Sequence, residues 1–340
     1  MPQWRRCNES AGMTHLAIRY GFLTLMLGLI VYFSYASPAF LSAQSGVFIF
    51  QSVAITGILA LGVTCTLVVG GFDLSIGAVA TSALMLSAYV MVIWDLGTVP
   101  AVILCLAMGA GVGLINGLLI VKMKVPDLLA TLGMMFLLVG LQRIPTEGNS
   151  ISTGMALADG TSATGTFSAA FLMLGRYRIG DLVPLSVVFL QVIALLVWLF
   201  LEFTRHGRLM YAIGSNAQAA ALAGVNVNRY KIMAYMISGT LASVGGILLA
   251  ARLGRGDVAS GNNLLLDAVA AALIGFAVLG ASKPNAFGTA IGALFVGILL
   301  QGLTMLNAPY YTQDFIKGAV LVVALVFTFA LSGQTGRGRG

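Results

Sequence analysis

Charge is the scarcest commodity in this sequence. Only 9% of its 340 residues are charged, against about 25% in an ordinary soluble domain. So few charges cannot cover a water-facing surface, which excludes a soluble globule. A GxxxxGK[ST] phosphate loop is also missing, so the chain cannot hydrolyse ATP by that route. Histidine occurs only as His15 and His206, and no His, Asp and Glu set has metal-ligand spacing. The three cysteines, Cys7, Cys65 and Cys105, form no metal spacing, and two of them sit in apolar runs. They read as small core residues, not as a disulfide framework. Ionisable groups are nearly absent from the apolar runs, which argues against a proton-driven pump built on buried Asp, Glu or His relays. A sodium-coupled or facilitative carrier stays open.

What the chain does have is apolar length. Hydrophobic residues make up 59% of it, in runs of about 20 residues that do not alternate with polar positions. Backbone polar groups find no water in a hydrocarbon core, so only helices or a closed barrel can span it. The missing alternation selects helices. The expected fold is therefore an all-α integral membrane protein, a single transmembrane domain over 1–340. Ten spans are expected: Tyr20–Ala36, Val47–Val69, Leu74–Ile93, Val99–Val121, Leu128–Ile144, Pro184–Phe203, Ile232–Leu253, Leu265–Gly280, Phe287–Leu306 and Phe315–Leu331. The first run follows Arg5, Arg6 and Arg19 without a clear small-residue cleavage site, and reads as a retained anchor.

The net charge of +7 is spread over short loops and termini, with no cluster suited to nucleic acid. Sidedness explains it better. With both termini in the cytoplasm, Arg5, Arg6, Arg19, Lys122, Lys124, Arg205, Arg208, Arg229, Lys231, Lys283, Arg337 and Arg339 face inward. Only Arg143, Arg176, Arg178, Arg252, Arg255 and Lys317 face outward. Residues 1–19 and 332–340 then form cytoplasmic ends. Residues 145–183, rich in Gly, Ser, Thr and Ala and poor in aromatics, form a mobile extracytoplasmic loop. A second outer loop carries Arg255 and Asp257, with Asp267 just beyond it. Asp267 is expected to pair with Arg252 or Arg255.

Thr204–Lys231 is the most informative polar segment. Ser215-Asn216 supply N-cap residues for an Ala-rich stretch, and Gly224 can stop it. A short cytoplasmic helix and a solvated loop both fit. Asp73, in Gly-Gly-Phe-Asp-Leu-Ser-Ile-Gly, can close a tight turn, cap the third span through its N-terminal amides or lie on a solute path; the cap is the simpler role. Gly-containing breaks at Val68–Val79 and Val278–Ala293 are weakly alike, as internal repeats of transporters are. Gln51, Thr56, Thr64, Asn116, Gln142, Gln191, Ser238, Thr240, Gln301 and Asn307 suit either a passage for a hydroxylated solute or hydrogen bonds between helices. The steps Gly109–Gly113–Gly117 and Gly288–Gly292 read as close helix packing.

Four stretches resemble the permease subunits of bacterial ABC importers for monosaccharides of the ribose, xylose and galactose type. Gly70-Gly71-Phe72-Asp73-Leu74-Ser75-Ile76-Gly77 is similar to a Gly-Gly-x-Asp-Leu-Ser-x-Gly signature. Val125–Met134 resembles a Val-Pro-x-Phe-Ile-x-Thr-Leu-Gly-Met run, and Tyr211–Val225 the cytoplasmic coupling loop. Leu265–Ala270 resembles Glu-Leu-Asp-Ala-Ile-Ala, with Leu265 in place of Glu. The connection Gly275-Phe276 to Gly280-Ala281-Ser282-Lys283-Pro284 departs from the usual glycine-rich pattern.

The resemblance implies the pore of an inner-membrane sugar importer without an ATPase site of its own. It implies no cofactor on this chain, with ATP and Mg bound by a separate cytoplasmic tandem ATPase. Further implied partners are a second permease copy or paralogue and a periplasmic sugar-binding protein. Segment 204–231 becomes the ATPase-coupling loop, through Gly207, Tyr211, Ala212, Gly214, Ser215, Asn216, Ala220 and Gly224. Candidates for the pathway or gate are Gly71, Asp73, Ser75, Gln51, Asn116 and Gln301. Candidates facing the binding protein are Arg255, Asp257 and Asp267. Alternatives are a stand-alone carrier or facilitator, or an importer of a nucleoside, a signalling furanose or a branched-chain amino acid.

Overall fold

The computed structural model describes residues 24–156, 160–261, 263–277, 283–309, 311–319 and 322. In chain order the helices are α1 Thr24–Ala36, α2 Ala43–Val68, α3 Ile76–Ala88, α4 Thr98–Val121 and α5 Asp127–Leu141. They continue with α6 Ala169–Arg176, α7 Leu185–Trp198, α8 Arg205–Ser215, α9 Ala217–Leu222 and α10 Val227–Leu253. The last are α11 Leu264–Ala277, α12 Ala286–Met305 and α13 over 311–319. Single π turns, Tyr89–Ile93 and Leu199–Phe203, extend α3 and α7.

Seven of these helices are long and apolar enough to cross a bilayer: α2, α3, α4, α5, α7, α10 and α12. The ten expected spans are therefore not all present among the described residues. α1 and α11 are apolar but shorter; Tyr20–Leu23 and 278–280 of their expected runs lie outside the described residues. The tenth, Phe315–Leu331, is described only at 315–319 and 322. Segments 1–19 and 332–340, with Cys7, also fall outside.

Burial sorts the spans. About 72%, 78%, 61% and 67% of the α2, α3, α10 and α12 windows are inside, against 33%, 22% and 33% for α4, α5 and α7. The outer three show Ile103, Leu129, Phe136, Leu137 and Leu196 on their exposed faces, where acyl chains can cover them. Cys65 and Cys105 are buried and unpaired, as small core residues.

Apolar tails attract helices as well as leucine does, so close van der Waals contact must hold spans together. Both glycine steps provide it. A side chain on Gly113 of α4 would run into the backbone of Tyr235 and Met236 in α10, and one on Gly117 would meet Ile232 Cα at 2.8 Å. Gly292 of α12 lies under the Ala271 carbonyl of α11. Buried hydroxyls add to this: Thr64 of α2 and Thr289 of α12 are 2.7 Å apart.

Segment 145–183 is more structured than its composition suggests. Ile151 pairs with Gly256, and α6 is followed by a two-residue ladder, Arg178–Ile179 against Val183–Pro184. Ile151 and Phe171 are fully buried. Gly165 packs on the carbonyls of Met91 and Val92, and Arg176 donates to the carbonyls of Arg252 and Leu253 at 3.0 Å each. The expectation of a loose loop is corrected. Glycine lets this segment lie directly on helix ends and on their orphan carbonyls, so it needs few aromatics.

Gly113→Val should therefore lower stability by about 1–3 kcal/mol, the usual cost of overpacking. Gly111→Val, at a position with nothing within 4 Å, should not. Thermal unfolding in detergent compares the two, and equal midpoints would contradict this packing.

Candidate functional site

The site forms where α2 stops. Gly71 N returns to Thr66 O at 2.9 Å, and Gly70, at φ 73°, turns the chain in a left-handed conformation that costs glycine little. Beyond it the backbone is irregular until α3 starts at Ile76. Inside a bundle those peptide groups need protein partners.

At Phe72 they find them on two other helices. Phe72 N donates to Asp127 Oδ2 of α5 at 2.8 Å, and the Tyr235 hydroxyl of α10 donates to Phe72 O at 3.3 Å. Asp73, 1% exposed, accepts at Oδ1 from Ser75 N (2.9 Å) and Ser75 Oγ (2.6 Å). Its Oδ2 accepts from Ser238 Oγ of α10 at 2.7 Å. Asn116 Nδ2 of α4 donates to Ser75 Oγ at 2.9 Å, while Asn116 Oδ1 has no hydrogen-bond partner among the described residues. Nor does a cation pair with Asp73 there. A buried carboxylate without a counter-ion depends on such donors. Asp73 thus closes the turn before α3, whose N-cap is Ser75, and ties α10 and, through Ser75, α4 to that turn. Among the described residues it makes no bond to an α3 amide, so the expected cap is corrected to a turn closure.

α8 lies directly beneath this break. Thr204 caps it by accepting from Gly207 N at 3.1 Å, and Gly207 lets α8 close onto the Leu201 backbone. Gly214 sits against the Val68 carbonyl, with Gly70 N 3.5 Å from where its Cβ would be. On the other side Tyr211 donates to Pro284 O at 2.7 Å, just before α12. Lys283 lies 4.5 Å from the Tyr211 ring centre and pairs with Glu202 at 2.8 Å. Burial first, then the nearby Glu202 carboxylate, pushes the Tyr211 phenol up, so it stays a neutral donor. Asn216 caps α9 through Ala219 N at 2.9 Å, and Gly224, at φ 83°, follows its end. α8 meets both breaks.

The candidate residues divide accordingly. Gly71, Asp73, Ser75 and Asn116 converge. Gln51 and Gln301 do not: each lies 16 or 17 residues along its helix from the break, about 25 Å at 1.5 Å per residue. Within 204–231, Ala212, Gly214, Ser215, Asn216 and Gly224 are exposed, Tyr211 is half-buried, and Gly207 and Ala220 are buried. At the opposite end of the bundle Arg255 pairs with Asp257 at 3.5 Å, both partly open to solvent. Asp267 is buried and pairs with Lys317 of α13 at 3.2 Å, and Lys317 also reaches Asp314 at 3.6 Å. The expected Arg252 or Arg255 partner is corrected, because α13 brings a cation from outside the α10–α11 connection.

Asp127, Tyr235, Lys283 and Glu202 escaped sequence reasoning. Asp127 carried a signal, as an acid in the first turn of a helix after Pro126. Tyr235 carried a weaker one, a phenol in an apolar span that must find a partner.

The comparisons now bear on this geometry. Residues 46–325 match the family model described as branched-chain amino acid transport system / permease component. The chain belongs to that permease family. It is 34% identical to the ribose import permease protein of Escherichia coli strain K12 over 306 residues, 89% of this chain and 91% of that one. It is 35% identical to the ribose import permease protein of Bacillus subtilis strain 168, covering 90% of each. The galactose/methyl galactoside import permease protein of Haemophilus influenzae is 30% identical over 329 residues, 94% of this permease and 95% of its relative. No solved structure matches. The membrane-spanning, multi-pass architecture of the permease accords with these relatives.

Asp73→Ala should strand buried donors on Ser75 and Ser238, lowering stability by about 1–3 kcal/mol. Ser238→Ala should cost less, and the two together less than their sum, because they share one interaction. Unfolding of all three variants in mixed micelles tests this; strict additivity would contradict it.

Proposed function

We propose that this permease is the translocation-pore subunit of an ATP-driven importer that moves a monosaccharide of the pentose or hexose class into the cytoplasm of a bacterium. Its relatives named for ribose and galactose import support the substrate class. The family description alone names branched-chain amino acids. The chain carries no phosphate loop, so the energy comes from a separate tandem ATPase that binds ATP and Mg. A binding protein outside the inner membrane delivers the sugar, and a second permease copy or paralogue completes the pore.

The orientation puts the α8 end in the cytoplasm. α2 ends and α12 begins beside α8, while α3 and α10 end beside segment 145–183. Counting α1, α11 and the run from 311 onward as spans makes ten, which returns both termini to the α8 side. The twelve basic residues assigned to that side against six on the other agree with the positive-inside bias.

One observation carries the mechanism. α8 and its C-cap Asn216 offer Ala212, Ser215 and Asn216 outward, while Gly214 and Tyr211 touch backbone at the two breaks. ATP-driven closure of the ATPase displaces α8, and the breaks re-aim α3 and α12. The sugar then crosses a lumen that binds it weakly, because affinity there would trap it. Arg255 and Asp257 face the binding protein.

Reconstituted alone in liposomes, the permease should show no ATPase activity and no concentrative sugar uptake. A Ser215→Cys variant should cross-link to the co-purified ATPase. Accumulation without partners, or no cross-link at Ser215 and its neighbours, would refute this assignment.

A further inference from the structure

Tyr211, Lys283 and Glu202 make one contact set from three separate elements. Glu202 lies in the π turn after α7, Tyr211 sits midway along α8, and Lys283 precedes α12. The Tyr211 hydroxyl holds Pro284 O at 2.7 Å, Lys283 Nζ holds Glu202 at 2.8 Å, and the same ammonium lies 4.5 Å from the Tyr211 ring centre. The phenol ring is half-buried, so this cation–π contact is partly shielded from water. Next to it Asn285 caps α12 by accepting from Gly288 N, and its carbonyl accepts from Thr289 Oγ1 at 2.9 Å. Thr289 in turn meets Thr64 of α2. The grip on Pro284 therefore reaches the first turn of α12 within one residue.

Toward the first break α8 makes no comparable bond among the described residues. At Gly214 it only abuts the Val68 carbonyl. Contact of that kind can push the first break but cannot pull it. A hydrogen bond and an ion pair resist separation in both directions.

We infer that Tyr211 is a positioning residue whose bond to Pro284, backed by Lys283 and Glu202, fastens α8 to the start of α12. The α8 stroke is then carried into the second break in both directions, while the first break is only pressed. The inference rests on the proposed docking of the ATPase on α8. Tyr211 touches neither sugar nor nucleotide in this scheme.

The test uses the full complex with its ATPase, in lipid nanodiscs, on a background without native cysteines. Spin labels at Gln218 of α9 and Ala290 of α12 report their separation by pulsed electron resonance, with and without ATP and vanadate. The parent should give one separation that nucleotide does not change. Tyr211→Phe combined with Lys283→Met keeps the ring and the bulk but removes the bond and the charge. It should give two separations that nucleotide redistributes. Tyr211→Phe alone should show a smaller second population. Restoring Tyr211 over Lys283→Met should recover most of the single separation, which a merely destabilised chain would not do. A double variant with the parent's single, nucleotide-independent separation overturns the inference, provided Ser215→Cys still cross-links to the ATPase. Loss of that cross-link in the parent overturns the docking assignment instead, and this role of Tyr211 with it.

Discussion

A helix that stops inside a bundle leaves peptide groups that lipid cannot satisfy, and this constraint organises the permease. α2 stops at Val68 and α3 starts at Ile76, so the seven residues between them must be answered by other helices. α5 answers with Asp127, α10 with Tyr235 and Ser238, and α4 reaches in through Asn116. Asp73 is the centre of this network because one carboxylate accepts three hydrogen bonds from two elements. The irregular backbone that a pathway requires is thereby fixed in place.

The helices that answer the break must also come close enough to do so, and glycine permits that approach. Gly113 and Gly117 bring α4 onto α10 near Tyr235 and Ile232, the stretch of α10 that also carries Ser238. The polar network and the small-residue seams are one design: without the seams, the Asn116 and Ser238 side chains would not reach the same loop. The second break is treated differently. α12 receives an Asn285 cap, and its preceding carbonyl is held from α8. The two breaks share their function of starting a helix but not their fastening.

How much of this the sequence revealed depends on the kind of force involved. Hydropathy located the seven long spans, because it reports the solvent each segment prefers. It misjudged where helices begin. α10 starts at Val227, five residues before its expected start, because Asn226 caps a polar turn that hydropathy does not register as helix. α8 went unrecognised for the same reason, although Thr204 is a good cap. That Asp73 lies at a turn was legible, because its bonds to Ser75 are local. Its partner Ser238 and the Ser75 partner Asn116 were visible only as polar residues, since a separation of more than 40 positions carries no sequence signal. Lys317 beside Asp267 and the packed 145–183 segment escaped for that reason too. In the latter, glycine-to-backbone contact replaces the aromatic burial that composition can detect.

In the proposed importer the α8 face, where both breaks are accessible to an external push, lies in the cytoplasm. Single cysteines at Ser215 and Asn149, both exposed and at opposite ends of the bundle, decide it when labelled with a membrane-impermeant maleimide. In intact cells the account predicts labelling at Asn149→Cys and none at Ser215→Cys, with the pattern reversed in inverted membrane vesicles. Labelling of Ser215→Cys from outside intact cells would contradict it.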